Sequence, residues 1–514
     1  EPRISSIRAA LDRFYVATQS LTMKVAATVI ALAPVWSVWA KQYLLSPSLT
    51  RVGTDKEWAV QLRVASTARF EEYLSGQYDH AIQGVQQAMS PQGAARGAMQ
   101  ASPSRTHPDY YYHWVRDAAL TMGLVNELYA DARNPEEMDT WEHILLDHAT
   151  FSKQLQETDN PSQGLGEPKF HMDGSAFWQS WGRPQNDGPA IRAAVVGAFG
   201  QLWAQRGGDM GQLYQAQLPA QSVIKRDLEY TAHHWQDPSF DIWEEVSGHH
   251  FFNRMVSRKA MRDGAALARS VSDWGAASYY LTQARVIEAD LDQFWDQEKG
   301  YIVATRGVVG GLGDKSSGLD TQVLLAALHG AVDDDERYAL HSDRMLATAH
   351  ALITRFEALY AVNRDHPELA PAIGRYPEDQ YDGYDRAGGN PWVLTTACMA
   401  EVHYRVAQAW LDQGYLPVTT LNWPFLQRAS PTAARIPEIP TTVDNNHPSF
   451  ALILADLKSA GDRFLQRIQF HGHADLNLFE QWHHTTGHAR GAPDLTWSYA
   501  AFITAVRARS ALAL

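Results

Sequence analysis

Six times along this chain, a loop rich in Gly, Pro, Trp, Tyr and Asp runs directly into an apolar helical pattern. No other feature restricts the fold as much. The junctions are Pro108 to Leu120, Trp181 to Arg192, Phe240 to Val256, Ser317 to Leu325, Gly374 to Leu394, and Asp494 to Tyr499. Between them the hydrophobic period is helical. Ile191 to Trp203 sets Val195, Phe199 and Leu202 on one stripe, and Val286 to Trp295 repeats it through Ile287, Leu291 and Phe294. Leu319 to His329, Leu352 to Tyr360 and Val393 to Trp410 follow the same pattern, and alternating strand patterns are scarce. If every second helix lines an inner ring, its N-terminal loop lands on one common face. The expectation is an all-α (α/α)6 barrel, a toroid of roughly a dozen helices with a polar, aromatic-rich cavity at one end.

Charge and composition narrow the partners. A net charge of −14 argues against nucleic acid, because a polyanion needs a basic face. The 17 Trp, 21 Tyr and 17 Phe are mostly core by default, yet such a surplus suits a sugar cleft, since a pyranose packs its apolar face on an aromatic plane. The single cysteine, Cys398, lies in an apolar run and reads as a small buried hydrophobe that can form no intramolecular disulfide. His483, His484 and His488 cluster without a carboxylate or cysteine at a familiar metal spacing, so a solvated loop is expected and no metal. No cofactor motif is present.

The N-terminus reads as an address. Met23-Lys24 precedes a short apolar run ending in small residues at Ala40, the pattern of a secretory signal. Pro34 interrupts the run, which is short of the about 20 residues a membrane span needs. The expected organisation is an upstream segment, 1–40, with a signal peptide over 23–40, then a single (α/α)6 domain over 41–514. Met23 is the expected start, and a periplasmic or secreted location the expected destination.

The candidate chemistry lies in carboxylates. Glu244 and Glu245 stand side by side behind Trp243. Adjacent side chains diverge on a helix and on a strand, so the two cannot bracket one bond. If one is a general acid, its partner comes from elsewhere. Trp243 and its apolar neighbours are expected to desolvate one Glu and keep it protonated, as glycoside cleavage requires, with an ionised carboxylate opposite. A helix N-terminal acid pair is the plainer alternative. Partner candidates are Asp117, Asp173, Asp187, Asp379 and Glu480, of which Glu480 stands out as an isolated acid among aromatics. Arg116-Asp117 offers a cation and an anion together, suited to adjacent sugar hydroxyls, and Arg375 could act likewise.

Several long motifs occur in order: Pro-Asp-Tyr-Tyr-Tyr-His-Trp-Val-Arg-Asp (108–117), Gly-Leu-Gly-Glu-Pro-Lys-Phe (164–170), Ser-Trp-Gly-Arg-Pro-Gln-Asn-Asp-Gly-Pro-Ala-Ile-Arg (180–192) and Asp-Ile-Trp-Glu-Glu-Val (241–246). Arg-Tyr-Pro-Glu-Asp (375–379), Gly-Asn-Pro-Trp (389–392), Glu-Gln-Trp (480–482) and Asp-Leu-Thr-Trp-Ser-Tyr-Ala-Ala (494–501) follow. Together they resemble the glucoamylases of glycoside hydrolase family 15, in its fungal-type branch. The resemblance implies exo-acting release of β-D-glucose from non-reducing ends of α-1,4-glucans and malto-oligosaccharides. It also implies Glu244 as general acid and Glu480 as general base, with Asp241 a further catalytic candidate ranked below Glu480. Arg116, Asp117 and Arg375 match groups that hold the terminal glucose. Tyr110, Trp114, Trp181, Trp243 and Trp497 match aromatics around the scissile bond, and Glu245 a carboxylate on the leaving-group side. The loop 380–388 is longer than in relatives, and 41–514 is expected to be a single catalytic domain without the starch-binding module of some of them. The expected partner is an α-glucan, bound by a monomer with no stable membrane association after signal cleavage. Action on α-1,6-glucan or trehalose, or an inactive carbohydrate-binding barrel, stay open as alternatives.

Overall fold

The structure is a computed structural model that describes residues 55–313, 315–332 and 335–514, with side chains from Thr67 onward. The signal-peptide reading of 23–40 falls outside the described residues. Phe70–Leu514 forms one compact unit, which holds the cavity and its loops.

Among the described residues there are fourteen α-helices. In chain order they are α1 (Asp55–Ala88), α2 (Val115–Asp131), α3 (Pro135–Glu157), α4 (Asp187–Gln205), α5 (Val223–His234), α6 (Phe251–Ser270) and α7 (Trp274–Leu291). There follow α8 (Gln322–Gly330), α9 (Asp343–Leu359), α10 (Ala361–Asp365), α11 (Val393–Gln413), α12 (Trp423–Ala429), α13 (Phe450–His471) and α14 (Thr496–Ala511). The helices that follow the six loops, α2, α4, α6, α8, α11 and α14, pack on one another in sequence order, and α14 returns to α2. That closed inner ring, with α3, α5, α7, α9 and α13 alternating outside it, is the expected (α/α)6 barrel.

Local sequence explains where the helices stop and start. Asn134 caps α3 by accepting the Glu137 amide, with Pro135 in the first turn, and Asp273 caps α7 through the Ala276 amide. Gly414 ends α11 in the left-handed conformation, at φ 77°. Inner helices are covered on nearly all sides, so they need no single apolar stripe: α4 buries Asp187, Ala190, Ile191, Ala194, Phe199 and Trp203 around its whole circumference. Outer helices press on them closely. A Cβ on Gly461 of α13 would stand 2.6 Å from the Tyr404 ring of α11.

The strands among the described residues are short antiparallel ribbons that brace the loops. His113–Trp114 pairs with Lys169–Phe170, Gln481–Trp482 with Ala489–Arg490, and Val246–His250 lies between Ser239–Phe240 and Thr305–Gly311. Here the sequence reading needs correction: residues 246–250 are a strand, and the helix after the acid pair begins only at Phe251. No helix among the described residues is long and apolar enough to cross a membrane.

Candidate active site

Five of the six loops, all but Ser317 to Leu325, supply the lining of a cavity of about 600 Å³ at one end of the barrel. Its lining includes Tyr110, Trp114, Arg116, Asp117, Trp181, Trp243, Glu244, Glu245, Arg375, Glu480 and Trp497, and also Lys169, Tyr381, Tyr384 and Trp392. Arg116, Asp117 and Arg375 are buried, whereas Trp181 and Tyr384 are 37% and 41% exposed. The charged groups therefore form a floor and the exposed rings a rim.

Glu244 sits in a tight turn. Its amide donates to the Asp241 carbonyl at 2.9 Å, and its own φ is +66°, a left-handed conformation costly for a residue with a Cβ. Asp241 holds that turn: one carboxylate oxygen accepts the amides of Glu245 and Val246, and the other accepts from Lys315 Nζ at 2.5 Å. Burial works to raise the Asp241 carboxyl, but the Lys315 ammonium, reinforced by those amides, wins and holds it at about 2. Asp241 is fully buried and does not line the cavity. Of the three acids singled out as catalytic from the sequence, the structure brings Glu244 and Glu480 to the cavity and leaves Asp241 behind its wall.

From that turn the two adjacent acids diverge. Glu244 Oε1 accepts from the indole of Trp114 at 2.7 Å, from Gln185 at 3.1 Å and from Arg116 at 3.4 Å, while Oε2 accepts from the indole of Trp181 at 2.8 Å. Glu245 points the other way, accepting from Arg375 at 2.8 Å and from the Tyr376 hydroxyl at 2.6 Å. The pair is not a helix cap. The indole N–H of Trp243 serves neither acid. Its indole donates to Asp320 at 2.8 Å, and its ring lies against Trp497 and Trp392, so Trp114 and Trp181 are the rings that meet Glu244.

Glu480 enters from the opposite side of the chain, just ahead of Gln481–Trp482. It accepts from the Tyr110 hydroxyl at 2.9 Å, and Tyr110 is bonded in turn to Tyr381 at 2.9 Å. Burial pushes its carboxyl up to about 8, against the Tyr110 hydroxyl and the Arg375 charge. Gly491, at φ +73°, makes room for it: a Cβ there would stand 2.0 Å from Glu480 Oε2. The Tyr110 ring packs edge-on against Trp114, so two aromatic rings lie in the wall between the Glu480 and Glu244 hydrogen bonds.

On the floor, Arg116 donates to Gln185 at 2.7 Å and to Asp187 at 3.1 Å. Its Nε faces Asp117 Oδ2 at 3.6 Å, beyond hydrogen-bond reach, and neither atom has another partner among the described residues. Burial raises the Asp117 carboxyl to about 6, against the Arg116 charge. Arg375 forms a two-pronged pair with Asp379 at 2.8 and 2.6 Å. Asp187 and Asp379 thus orient the floor arginines, while Asp173 only closes its own turn through Ser175. Lys169 and Tyr381 escaped the sequence reading, although both fall in segments already notable there, the 164–170 motif and the 380–388 loop. His483 and His484 are engaged locally, with Thr485, Thr486 and Asn390.

Known proteins resemble this chain in sequence and fold. The model of the glycosyl hydrolases family 15 matches residues 77–507. A glucoamylase of Blastobotrys adeninivorans is 38% identical over 82% of this chain and 68% of its own length, and glucoamylase 1 of Rhizopus oryzae has the same identity and coverage. An intracellular, sporulation-specific glucoamylase of Saccharomyces cerevisiae is 32% identical over 86% of this chain and 85% of its own. Among solved structures, the glucoamylase from Saccharomycopsis fibuligera superposes with a TM-score of 0.78 at 30% identity, covering 86% of this chain and 96% of that one. With the barrel, the ordered motifs and the family match in agreement, the chain belongs to glycosyl hydrolase family 15.

Proposed function

We propose that this chain is a glucan 1,4-α-glucosidase that removes glucose from the non-reducing ends of α-1,4-glucans and malto-oligosaccharides with inversion, using Glu244 as acid and Glu480 as base. One observation carries the reading: two carboxylates enter a single floored cavity from separate hydrogen-bond systems, with the Trp114 and Tyr110 rings in the wall between them. An inverting pair stands about 6.5–9.5 Å apart to admit a water, and the Glu244 and Glu480 carboxyls are expected in that range. A floor of Arg116, Asp117 and Arg375 favours a chain end over a chain interior. Arg116 Nε and Asp117 Oδ2, a donor and an acceptor side by side, match two neighbouring hydroxyls of a terminal sugar. Glu245, braced by Arg375 and Tyr376, is assigned to the departing sugar.

In the reaction, Glu244 gives its proton to the glycosidic oxygen as the C1–O bond breaks. A water attacks C1 from the opposite face and passes its proton to Glu480. Glu480 must be ionised to accept it, which is why the Tyr110 hydroxyl and Arg375 charge, both opposing burial, matter. The burial that favours neutral Glu480 is also the one observation that supports the reverse order of roles.

α-D-Glucosyl fluoride separates the two orders, because fluoride departs without a proton. Glu244→Gln should lose about 10²–10⁴-fold on maltose yet keep most turnover of the fluoride, while Glu480→Gln loses both. The opposite pattern would exchange the roles. Glucose release from maltotriose, and little from isomaltotriose or trehalose, tests the linkage.

The sequence pattern over 23–40 supports export and the monomer is our working state. N-terminal sequencing of protein from culture medium or periplasm should begin near Lys41, and unprocessed cytoplasmic protein would contradict export.

A further inference from the structure

Lys169 lies directly opposite Trp114 in the ribbon that joins His113–Trp114 to Lys169–Phe170, and it is 2% exposed. Its Nζ stands 3.3 Å from the centre of the Trp181 ring, 4.1 Å from Phe177, 4.5 Å from Tyr112 and 4.6 Å from Trp114. An ammonium taken out of water is costly, and ring faces on several sides offset part of that cost. Burial lowers its pKa to about 8, opposed by Glu244, Asp109 and Glu167, with Arg183 adding to the depression. Two of the four rings have a second task. The indole N–H of Trp114 reaches Glu244 Oε1, and that of Trp181 reaches Oε2. Trp181 is a half-exposed rim residue whose ring also meets Phe177 and Trp114 edge-on, and Lys169 is the group that stands over its face.

We infer that Lys169 is a positioning residue for proton donation: its ammonium pins the planes of Trp181 and Trp114 so that both indole N–H groups meet the oxygens of Glu244. When Glu244 hands its proton to the leaving oxygen, a full carboxylate forms between two donors already aimed at it, and no reorganisation is needed. The inference rests on Glu244 being the acid.

The test reads two substrates that differ only in their need for a proton. Lys169→Met should lower kcat on maltose about tenfold, with KM less affected, and leave α-D-glucosyl fluoride within about twofold. Trp181→Phe should show the same split, and adding Lys169→Met to it should cost less than Lys169→Met costs alone, because part of the lysine's effect passes through that ring. Equal losses on both substrates, or additive losses in the double variant, would overturn the inference. Lys169→Arg keeps a cation among the rings and covers the case where Lys169→Met does not fold. Its maltose-to-fluoride ratio should stay within about threefold of the original, and a ratio as low as that of Trp181→Phe overturns the inference too. Glu244→Gln on the same substrates distinguishes the failures. If it shows no split, the acid assignment falls and this inference with it. If it does and Lys169→Met does not, only the role of Lys169 falls.

Discussion

Glu244 and Glu480 share a cavity but are held in contrasting ways. Glu244 stands on a strained left-handed turn and is partly accessible, and four donors from two loops, Trp114 and Arg116 from one and Trp181 and Gln185 from the other, aim at it. Glu480 is fully buried, sits on unstrained backbone, and has the Tyr110 hydroxyl as its side-chain donor. One side orients its acid by many bonds from separate parts of the chain, the other by the absence of space. The contrast fits the proposed division of labour. A proton donor has to present itself to a bulky leaving group and then carry charge, whereas a base has only to hold one water in place.

The side held by space should break most sharply. Gly491→Ala puts a methyl where Glu480 Oε2 now lies and adds an unfavourable φ, so turnover of maltose should fall by about 10²-fold or more. The barrel should stay intact, and steady-state kinetics with a circular-dichroism spectrum checks both. The side held by bonds should lose stability along with rate. Asp241→Asn breaks a buried pair with Lys315 and loosens the turn under Glu244, with an expected cost of about 3–5 kcal/mol by denaturant unfolding. Retained stability would mean the turn does not depend on that pair.

The smallest effect concerns pH. Burial raises the Glu480 carboxyl from its ordinary value of 4.5 to about 8, so the folded state binds that proton more tightly than the unfolded chain. Its contribution to stability is complete below about pH 4.5 and is lost as pH climbs toward 8. Glu480→Gln cannot ionise and should escape the loss. Its melting temperature should exceed that of the parent by a few degrees at pH 8 and by little at pH 5, and the opposite order would show that Glu480 is ionised at little cost.

Much of this was readable in the chain. Six loops feeding six helices mark the inner ring because a closed ring of buried helices needs its polar loops gathered at one end. The floor arginines and cavity aromatics lie in those same loops. What escaped depends on distance in the chain. Asp241 reads as an acid beside an acid, and only the fold shows Lys315, 74 residues away, occupying it. Trp243 reads as the neighbour of Glu244, yet in a turn a residue's sequence neighbour points elsewhere, and the indoles that matter come from positions 114 and 181. Lys169 sits between a proline and a phenylalanine, with no local mark that four rings from two segments, 112–114 and 177–181, enclose it.

The most direct measurement is the anomeric form of the first glucose released. Proton NMR of a fresh maltose digest, recorded before mutarotation, should show the β-anomer of the released sugar ahead of the α-anomer, as required by a water activated at Glu480 opposite the bond that Glu244 protonates. Initial α-glucose would mean net retention and would contradict the assignment of Glu480 as a base rather than a nucleophile.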